Sequence, residues 1–274
     1  MFLFQFPSSF EDWNVISQTF LDRWNFPNCV GALDGKHVTI KPPQHSGSVY
    51  YNYKHRFSIV LMALVDAEYR FLYCDVGCNG RVSDGGVFGS CTLNESLQNR
   101  TASIPDPTCL PGSDELCSYH IVADDAFPLR DEIMKPFRHR QLTIEQRIFN
   151  YRLSRARRCV ENAFGILANR FRVFLTTIAL APEKVEQIVL AACALHNYLI
   201  DKAKNEYMPP GLVDSENNET HQTLDGSWRQ NGLLHSAGLP HNPNSPLSAK
   251  CKRDMLVAYF SSDAGRVPWQ DSMI

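Results

Sequence analysis

The stretch FSIVLMALVDAEYRFLYCDV (57–76) decides the fold, because it contains two strand patterns joined by a short turn. Its first half, FSIVLMALV (57–65), is a continuous apolar run, which is typical of a strand buried on both faces. Its second half, YRFLYCDV (69–76), alternates enough between apolar and polar residues to form another strand. Only three residues separate the two runs, so the sequence predicts an antiparallel hairpin.

The sequence on either side of this hairpin supplies the other elements of an α/β fold. ALDGKHVTI (32–40) ends in a β-branched run and predicts a strand before the hairpin, and YHIVA (119–123) predicts a fourth strand. Between and after them the sequence predicts helices over residues 87–98, 145–172, 182–200 and 249–260. Antiparallel strands followed by a crossover predict a mixed sheet flanked by helices.

The two ends of the chain and one internal stretch look different from this central region. Residues 1–28 place Trp13, Phe20 and Trp24 at helical spacing, which predicts a helical lead-in. Residues 201–248 lack apolar periodicity and are rich in Asn, Ser, Gly, Pro and acids, so we expect a flexible acidic and polar linker or insertion. Residues 249–274 then form a C-terminal helix and tail. No apolar run reaches the ~18 residues of a membrane span.

The charge of the chain is nearly balanced overall but uneven along its length. The 27 Lys and Arg against 29 Asp and Glu give a net charge of −2, which excludes a uniformly basic nucleic-acid binder. Residues 135–172, however, hold ten Lys and Arg opposed by only Glu145 and Glu161. Guanidinium groups suit phosphate oxygens, so this stretch predicts DNA contact. The alternative is a solvated, charged helix face.

Three carboxylates occupy positions at which they could converge. Asp34 lies near the start of the first predicted strand, Asp124 follows the fourth, and Glu161 lies on the arginine-rich helix. Converging carboxylates repel each other unless cations neutralise them, and sites with oxygen ligands alone suit Mg²⁺ or Mn²⁺. Each acid also has a simpler interpretation. Asp34 and Asp124 could be turn residues, and Glu161 could pair with Arg157 or Arg158.

Several long motifs resemble, in the same order, the PIF/Harbinger superfamily of DDE transposases, whose relatives include a domesticated nuclease. The similarity covers most of residues 10–200. The motifs are NFPNCVGALDGKHVTIKPP (25–43), YYNYKHRFSIVLMALVDAEYRF (50–71), DVGCNGRVSDGGVF (75–88), ADDAFPLRDEIMKPF (123–137), FNYRLSRARRCVENAFGILANRFRV (149–173) and ALHNYLI (194–200).

The resemblance implies a ribonuclease-H-like fold over residues 29–200, with residues 1–28 as the remnant of an N-terminal helical region. It implies that Asp34, Asp124 and Glu161 are the catalytic acids and hold two divalent metal ions, Mg²⁺ or Mn²⁺. Asp125 is the alternative to Asp124 as the second acid. Around the acids we expect DNA-binding cations, namely Lys36, Arg155, Arg157 and Arg158.

The function that the resemblance implies is a metal-dependent DNA endonuclease that hydrolyses phosphodiester bonds, derived from a transposase. One alternative is a catalytically inactive domesticated transposase that binds DNA or a protein. A weaker one is a metal phosphoesterase that acts on small substrates. The resemblance also implies a Myb-like DNA-binding partner protein and location in the nucleus, with the cytoplasm as a further location, and it is compatible with a homodimer.

Overall fold

The computed structural model describes residues 6–138, 141–217, 219–231, 234–236 and 245–274. Its helices are α1 (Phe10–Trp24), α2 (Asp84–Ser90), α3 (Thr92–Gln98), α4 (Ile144–Arg170), α5 (Pro182–Tyr207) and α6 (Leu247–Ser261). Its strands are β1 (Cys29–Thr39), β2 (Ser58–Val65), β3 (Phe71–Asn79), β4 (Thr108–Cys109), β5 (Leu116–Cys117), β6 (His120–Ala123), β7 (Ile133–Met134), β8 (Ser215–Glu216), β9 (Thr223–Leu224) and β10 (His235–Ser236).

The main sheet has the strand order β3-β2-β1-β6-β7, and β10 also pairs with β1. The pairs β1–β2 and β2–β3 are antiparallel, which confirms the predicted hairpin, whereas β1–β6 and β6–β7 are parallel. Every residue of β2 is buried, as its continuous apolar sequence predicts. This mixed sheet between layers of helices confirms the predicted α/β, ribonuclease-H-like fold.

Strand alternation divides the core between the two faces of the sheet. On one face Ala32, Val38 and Leu61 pack in a cluster that includes the buried side of α4. On the other face Leu33 and Met62 pack in a cluster that includes α2 and α3. Helix α4 therefore lies on one side of β1, and α2 lies on the other.

Helices α1 and α4 begin where their sequences supply side-chain caps. Ser9 and Asp12 form a capping box at the start of α1, and Thr143 and Gln146 form another at the start of α4. Helix α1 buries Trp13, Phe20 and Trp24, and it contacts β1 and α4. The predicted lead-in helix is thus part of the same core, while the predicted domain boundaries stay predictions.

Two elements differ from the expectations drawn from sequence. The helix expected over 87–98 is two short helices, because Cys91 between them is extended. Within the described part of residues 201–248, where the sequence predicts a flexible acidic and polar linker or insertion, the chain forms the end of α5, three short strands, the 3₁₀ turn Ser227–Asn231 and the start of α6. Single buried side chains, among them Leu212 and Trp228, anchor this segment to the rest of the protein. Because these anchors do not recur at a regular spacing, the sequence shows no hydrophobic period here.

Trp228 shows how these anchors work. Its ring lies so close to Gly165 of α4 that a Cβ at that glycine would approach the ring to 2.2 Å, and its indole Nε1 donates to the Asn162 side chain. The segment is therefore fixed on the helix that carries Glu161. Among the described residues, no helix combines the length and apolarity needed to cross a membrane.

Candidate metal centre

The pairing of β1 leaves a gap at the edge where two of the predicted acids lie. Strand β6 pairs with β1 up to the pair of Ala123 with Leu33. Along the same edge of β1, pairing with β10 begins at Lys36. Asp34 falls within this gap, and Asp124 directly follows the end of β6. Because β6 ends beside the middle of β1, with Ala123 paired to Leu33, the fold brings Asp34 and Asp124 together, as the sequence predicts.

A third acid, Asp84, reaches this gap from the opposite face of the sheet. It is the first residue of α2, which Ser83 caps by accepting a hydrogen bond from the Gly86 amide. The Asp84 carboxylate fills the space beside Gly35, where a Cβ would lie only 2.0 Å from Asp84 Oδ1. The absence of a side chain at Gly35 is therefore what admits Asp84.

Asp34, Asp84 and Asp124 form a compact carboxylate cluster. One oxygen from each lies within 4.8 Å of the others. Asp34 Oδ1 accepts from the Gly35 amide at 2.9 Å, and Asp124 Oδ1 accepts from the Ala126 amide at 2.9 Å. Asp84 is 0% exposed, and neither of its carboxylate oxygens has a hydrogen-bond partner among the residues that the structure describes.

The electrostatics of the cluster are those of acids that need a cation. Burial, followed by the negative charges of Asp34 and Asp124, raises the pKa of Asp84 to about 9. Burial and the charge of Asp34 also raise the pKa of Asp124. A buried acid without a partner is costly, and a divalent cation would supply both the missing partner and the missing charge. The three carboxylates therefore fit a hard, oxygen-preferring metal.

Lys36 supplies the cation closest to the cluster. Its Nζ lies 2.8 Å from Asp34 Oδ2, and its side chain is 12% exposed. Burial opposes the charged form of Lys36, but the charge and hydrogen bond of Asp34, together with the charge of Glu161, outweigh it and raise the pKa of the ammonium. Lys36, which we predicted to contact DNA, thus pairs with a predicted catalytic acid, and its contact with DNA stays a prediction.

Glu161 lies beside this centre rather than within the cluster. Its Oε1 is 3.4 Å from Arg157 Nη2, and its Oε2 is 3.8 Å from Arg229 Nη2. It lines one pocket together with Lys36 and Phe164. The structure thus joins Asp34 and Asp124 with Asp84 as the third acid, and a role for Glu161 as a metal ligand stays a prediction.

Asp125, the alternative second acid, has a different environment from Asp124. It is half-exposed and forms an ion pair with Arg138, whereas Asp124 belongs to the carboxylate cluster. Its position makes Asp125 a useful control, because it is the adjacent acid in the chain and lies outside the cluster.

The predicted DNA-binding arginines of α4 contact protein carboxylates. Arg155, which is 3% exposed, donates to both oxygens of Glu216 at 2.6 and 2.7 Å. Arg158 donates to the same carboxylate at 3.2 Å, and Arg157 pairs with Glu161. Glu216 lies in β8, within the segment expected to be a linker. The arginines thus help to fix that segment on α4, and their contact with DNA stays a prediction.

Asp84 is the site residue that sequence reasoning missed. It precedes two glycines, and Asp-Gly-Gly at a helix start is typical of a turn. The available signal was the combination of a helix-capping Ser83, an acid, and a glycine beside the first predicted acid. None of these shows by itself that α2 and β1 meet.

The chain was compared with protein-family models and with known proteins. The family model described as DDE superfamily endonuclease matches residues 33–197. This is more than half of the chain, and it includes Asp34, Asp84, Asp124 and Glu161. No solved structure matches the chain significantly.

Curated relatives agree with this match. The Arabidopsis thaliana protein named "Protein ALP1-like" is 29% identical over 179 residues, which cover 64% of this chain and 44% of that protein. The Bos taurus and Homo sapiens proteins named "Putative nuclease HARBI1" are each 24% identical, over 80% and 81% of this chain and 60% of each relative. The chain thus spans about half the length of the curated relatives it matches. The similarity predicted from the motifs is confirmed, and the chain belongs to the DDE superfamily endonuclease family.

Proposed function

We propose that this protein is a divalent-metal-dependent DNA endonuclease that hydrolyses phosphodiester bonds. The observation that carries the proposal is the cluster of Asp34, Asp84 and Asp124, in which Asp84 is fully buried and, within the described part of the chain, has no hydrogen-bond partner for either oxygen. A structural acid in such a place would be costly. An acid that serves as a metal ligand accounts for both its burial and its lack of partners.

The residues of the cluster suit Mg²⁺ or Mn²⁺, because all three offer carboxylate oxygens and no softer ligand is among them. Glu161, which lines a pocket with Lys36 beside the cluster, is the proposed additional ligand. When bound, a pair of such ions would activate water and stabilise the oxygen that leaves the phosphorus.

The residues themselves would position the reaction. Asp34 extends from the middle of β1 and Asp124 directly follows β6, so the sheet holds their oxygens in place before substrate arrives. Water attacks the phosphorus and the P–O3′ bond breaks, which leaves a 5′-phosphate on one fragment and a 3′-hydroxyl on the other. The Lys36 ammonium, 2.8 Å from Asp34, would neutralise part of the charge on the phosphate that is attacked.

DNA as the substrate is supported by membership in an endonuclease family and by relatives whose printed name includes the word nuclease. The Myb-like partner, the nuclear location and the homodimer stay predictions from the family resemblance.

A plasmid-nicking assay with purified protein tests this proposal. We expect relaxed plasmid to appear with Mg²⁺ or Mn²⁺ and not with EDTA. Asp34→Asn, Asp84→Asn and Asp124→Asn should each reduce nicking to background, while the matched control Asp125→Asn should nick like the unmodified protein. Glu161→Gln tests the additional ligand in the same assay.

Two results would overturn the proposal. One is the absence of metal-dependent nicking by the unmodified protein, which would favour the inactive binding module. The other is equal nicking by the unmodified protein and all three aspartate variants, which would place the chemistry elsewhere or in a contaminant.

A further inference from the structure

The loop between β1 and β2 presents an exposed group of aromatic and basic side chains. Tyr51 and Tyr53 are 39% and 43% exposed, and Lys54, His55 and Arg56 are exposed as well. Exposed aromatic side chains that are grouped, and that lie among cations, are typical of surfaces that bind single-stranded nucleic acid. We call residues 49–56 the aromatic loop.

The aromatic loop is held rigidly by one buried residue. Asn52 is 4% exposed, and its Oδ1 accepts from the amides of Lys54 and Arg56 at 2.9 and 3.1 Å. Its Nδ2 donates to Ser58 Oγ at 2.8 Å. His55 adopts a left-handed φ of 60° to close the turn. The exposed side chains are therefore carried on a fixed backbone, which lowers the entropy cost of binding.

The same hydrogen bonds attach the aromatic loop to the strand that carries Asp34. Ser58 Oγ lies 2.9 Å from His37 Nδ1, and His37 is in β1, three residues after Asp34. The rings of His37 and Tyr53 are 6.0 Å apart. Partial burial, together with the negative charge of Asp84, raises the pKa of the Tyr53 phenol. Tyr53 thus packs beside β1, the strand that carries Asp34.

One cation of the aromatic loop lies against its central ring. Lys54 Nζ lies over the Tyr53 ring, 5.5 Å from its centroid. Burial, with the positive charges of Lys36 and Arg56, lowers the pKa of Lys54. By contrast, Arg155 and Arg158 on α4 are engaged by Glu216.

We propose that the aromatic loop binds unpaired nucleotides of the DNA substrate, with a base stacked on Tyr53 and the flanking phosphates held by Lys54 and Arg56. This proposal rests on the proposed function and adds to it the part of the substrate that is recognised. Aromatic rings accept any base by its π face, and neighbouring cations follow the backbone. A strand held here would lie on a loop that is attached through Ser58 to β1, the strand that carries Asp34.

Fluorescence anisotropy with a labelled single-stranded oligonucleotide tests the proposal. The full chain is titrated in EDTA, so that binding is measured without cleavage. Tyr53→Leu should weaken binding about tenfold, whereas Tyr53→Phe should retain affinity because it keeps the ring. Tyr198→Leu is the matched control, since Tyr198 is exposed on α5. Lys54→Gln should lower the slope of log affinity against log salt by about one, and Lys250→Gln should leave it unchanged.

Equal affinity of Tyr53→Leu and the unmodified protein would overturn the proposal. Equal loss in Tyr53→Leu and Tyr198→Leu would do the same, and so would tight duplex binding that does not depend on Tyr53. Circular dichroism of each variant separates lost binding from lost folding. Because no metal is present, a protein that never cleaves DNA would refute the proposed endonuclease and leave this result intact.

Discussion

The carboxylate of Asp84 occupies the space that a side chain at Gly35 would need. A Cβ at Gly35 would lie 2.0 Å from Asp84 Oδ1 and 2.9 Å from the carboxylate carbon. Gly35 directly follows Asp34, so the residue that admits Asp84 is adjacent in the chain to the acid it must meet. This relationship makes Gly35 part of the candidate metal centre, although it offers no ligand atom of its own from a side chain.

We predict that Gly35→Ala disables the centre by displacing Asp84. Metal affinity should fall roughly 10- to 100-fold, the size of effect seen when groups that orient metal ligands are changed. Isothermal titration with Mn²⁺ measures this directly. Gly89→Ala in α2 is the control, because a Cβ there has no atom within 4 Å and alanine favours the helix. Unchanged affinity in Gly35→Ala would contradict the arrangement.

A second prediction concerns stability without metal. The folded protein keeps a proton on Asp84 up to a pH of about 9, whereas the unfolded chain loses it near pH 4. The folded state therefore binds more protons between these values, and stability falls as pH rises through this range. Asp84→Asn has no proton to lose at this position, so it avoids this fall in stability. In EDTA, the melting temperature of Asp84→Asn should therefore exceed that of the unmodified protein by a few degrees at pH 8, and by less at pH 5.

Adding metal should reverse this order. Mg²⁺ or Mn²⁺ in excess should raise the melting temperature of the unmodified protein, more at pH 8 than at pH 6, because the ion competes with protons for the carboxylates. Asp84→Asn should gain much less. Thermal scans of both proteins, with and without metal, give four melting temperatures at each pH. The same metal-induced gain in both would show that Asp84 is not a ligand.

A third prediction concerns the arginines of α4. Glu216→Gln leaves Arg155 buried without its partner carboxylate, which should cost about 3 kcal/mol in the free energy of unfolding. The control is Asp271→Asn, because the Arg266–Asp271 pair is 48% and 58% exposed and exposed pairs contribute little. Urea unfolding measures both. Similar small losses in the two variants would show that the Arg155–Glu216 pair does not fix the segment on α4.

Much of the fold could be predicted because its signals are local. The run 57–65 is apolar except for Ser58 since β2 is buried on both faces, and the period of residues 145–172 follows the buried side of α4. Convergence of Asp34 and Asp124 could be predicted because one acid lies in the first strand and the other directly follows the fourth, although Asp34 lies in the middle of β1 rather than near its start.

Other features depend on contacts between residues far apart in the chain, which local sequence patterns do not predict. Charge counts predicted an exposed basic face over 135–172, but Arg155 is separated from Glu216 by about sixty residues in the chain, so its burial could not be read from α4 alone. Asp84 has the sequence context of a turn, and only the packing of α2 on β1 makes it part of the cluster. The anchors of residues 201–248 are single side chains without a period.

The position of a bound metal tests most directly whether Asp34, Asp84 and Asp124 are metal ligands. A crystal of the full chain soaked in Mn²⁺ and measured near the manganese absorption edge should show an anomalous peak at coordinating distance from Asp34, Asp84 and Asp124. A second peak that includes Glu161 would extend the ligand set as proposed. The absence of any peak at the three aspartates, or a peak whose ligands exclude Asp84, would contradict the central claim.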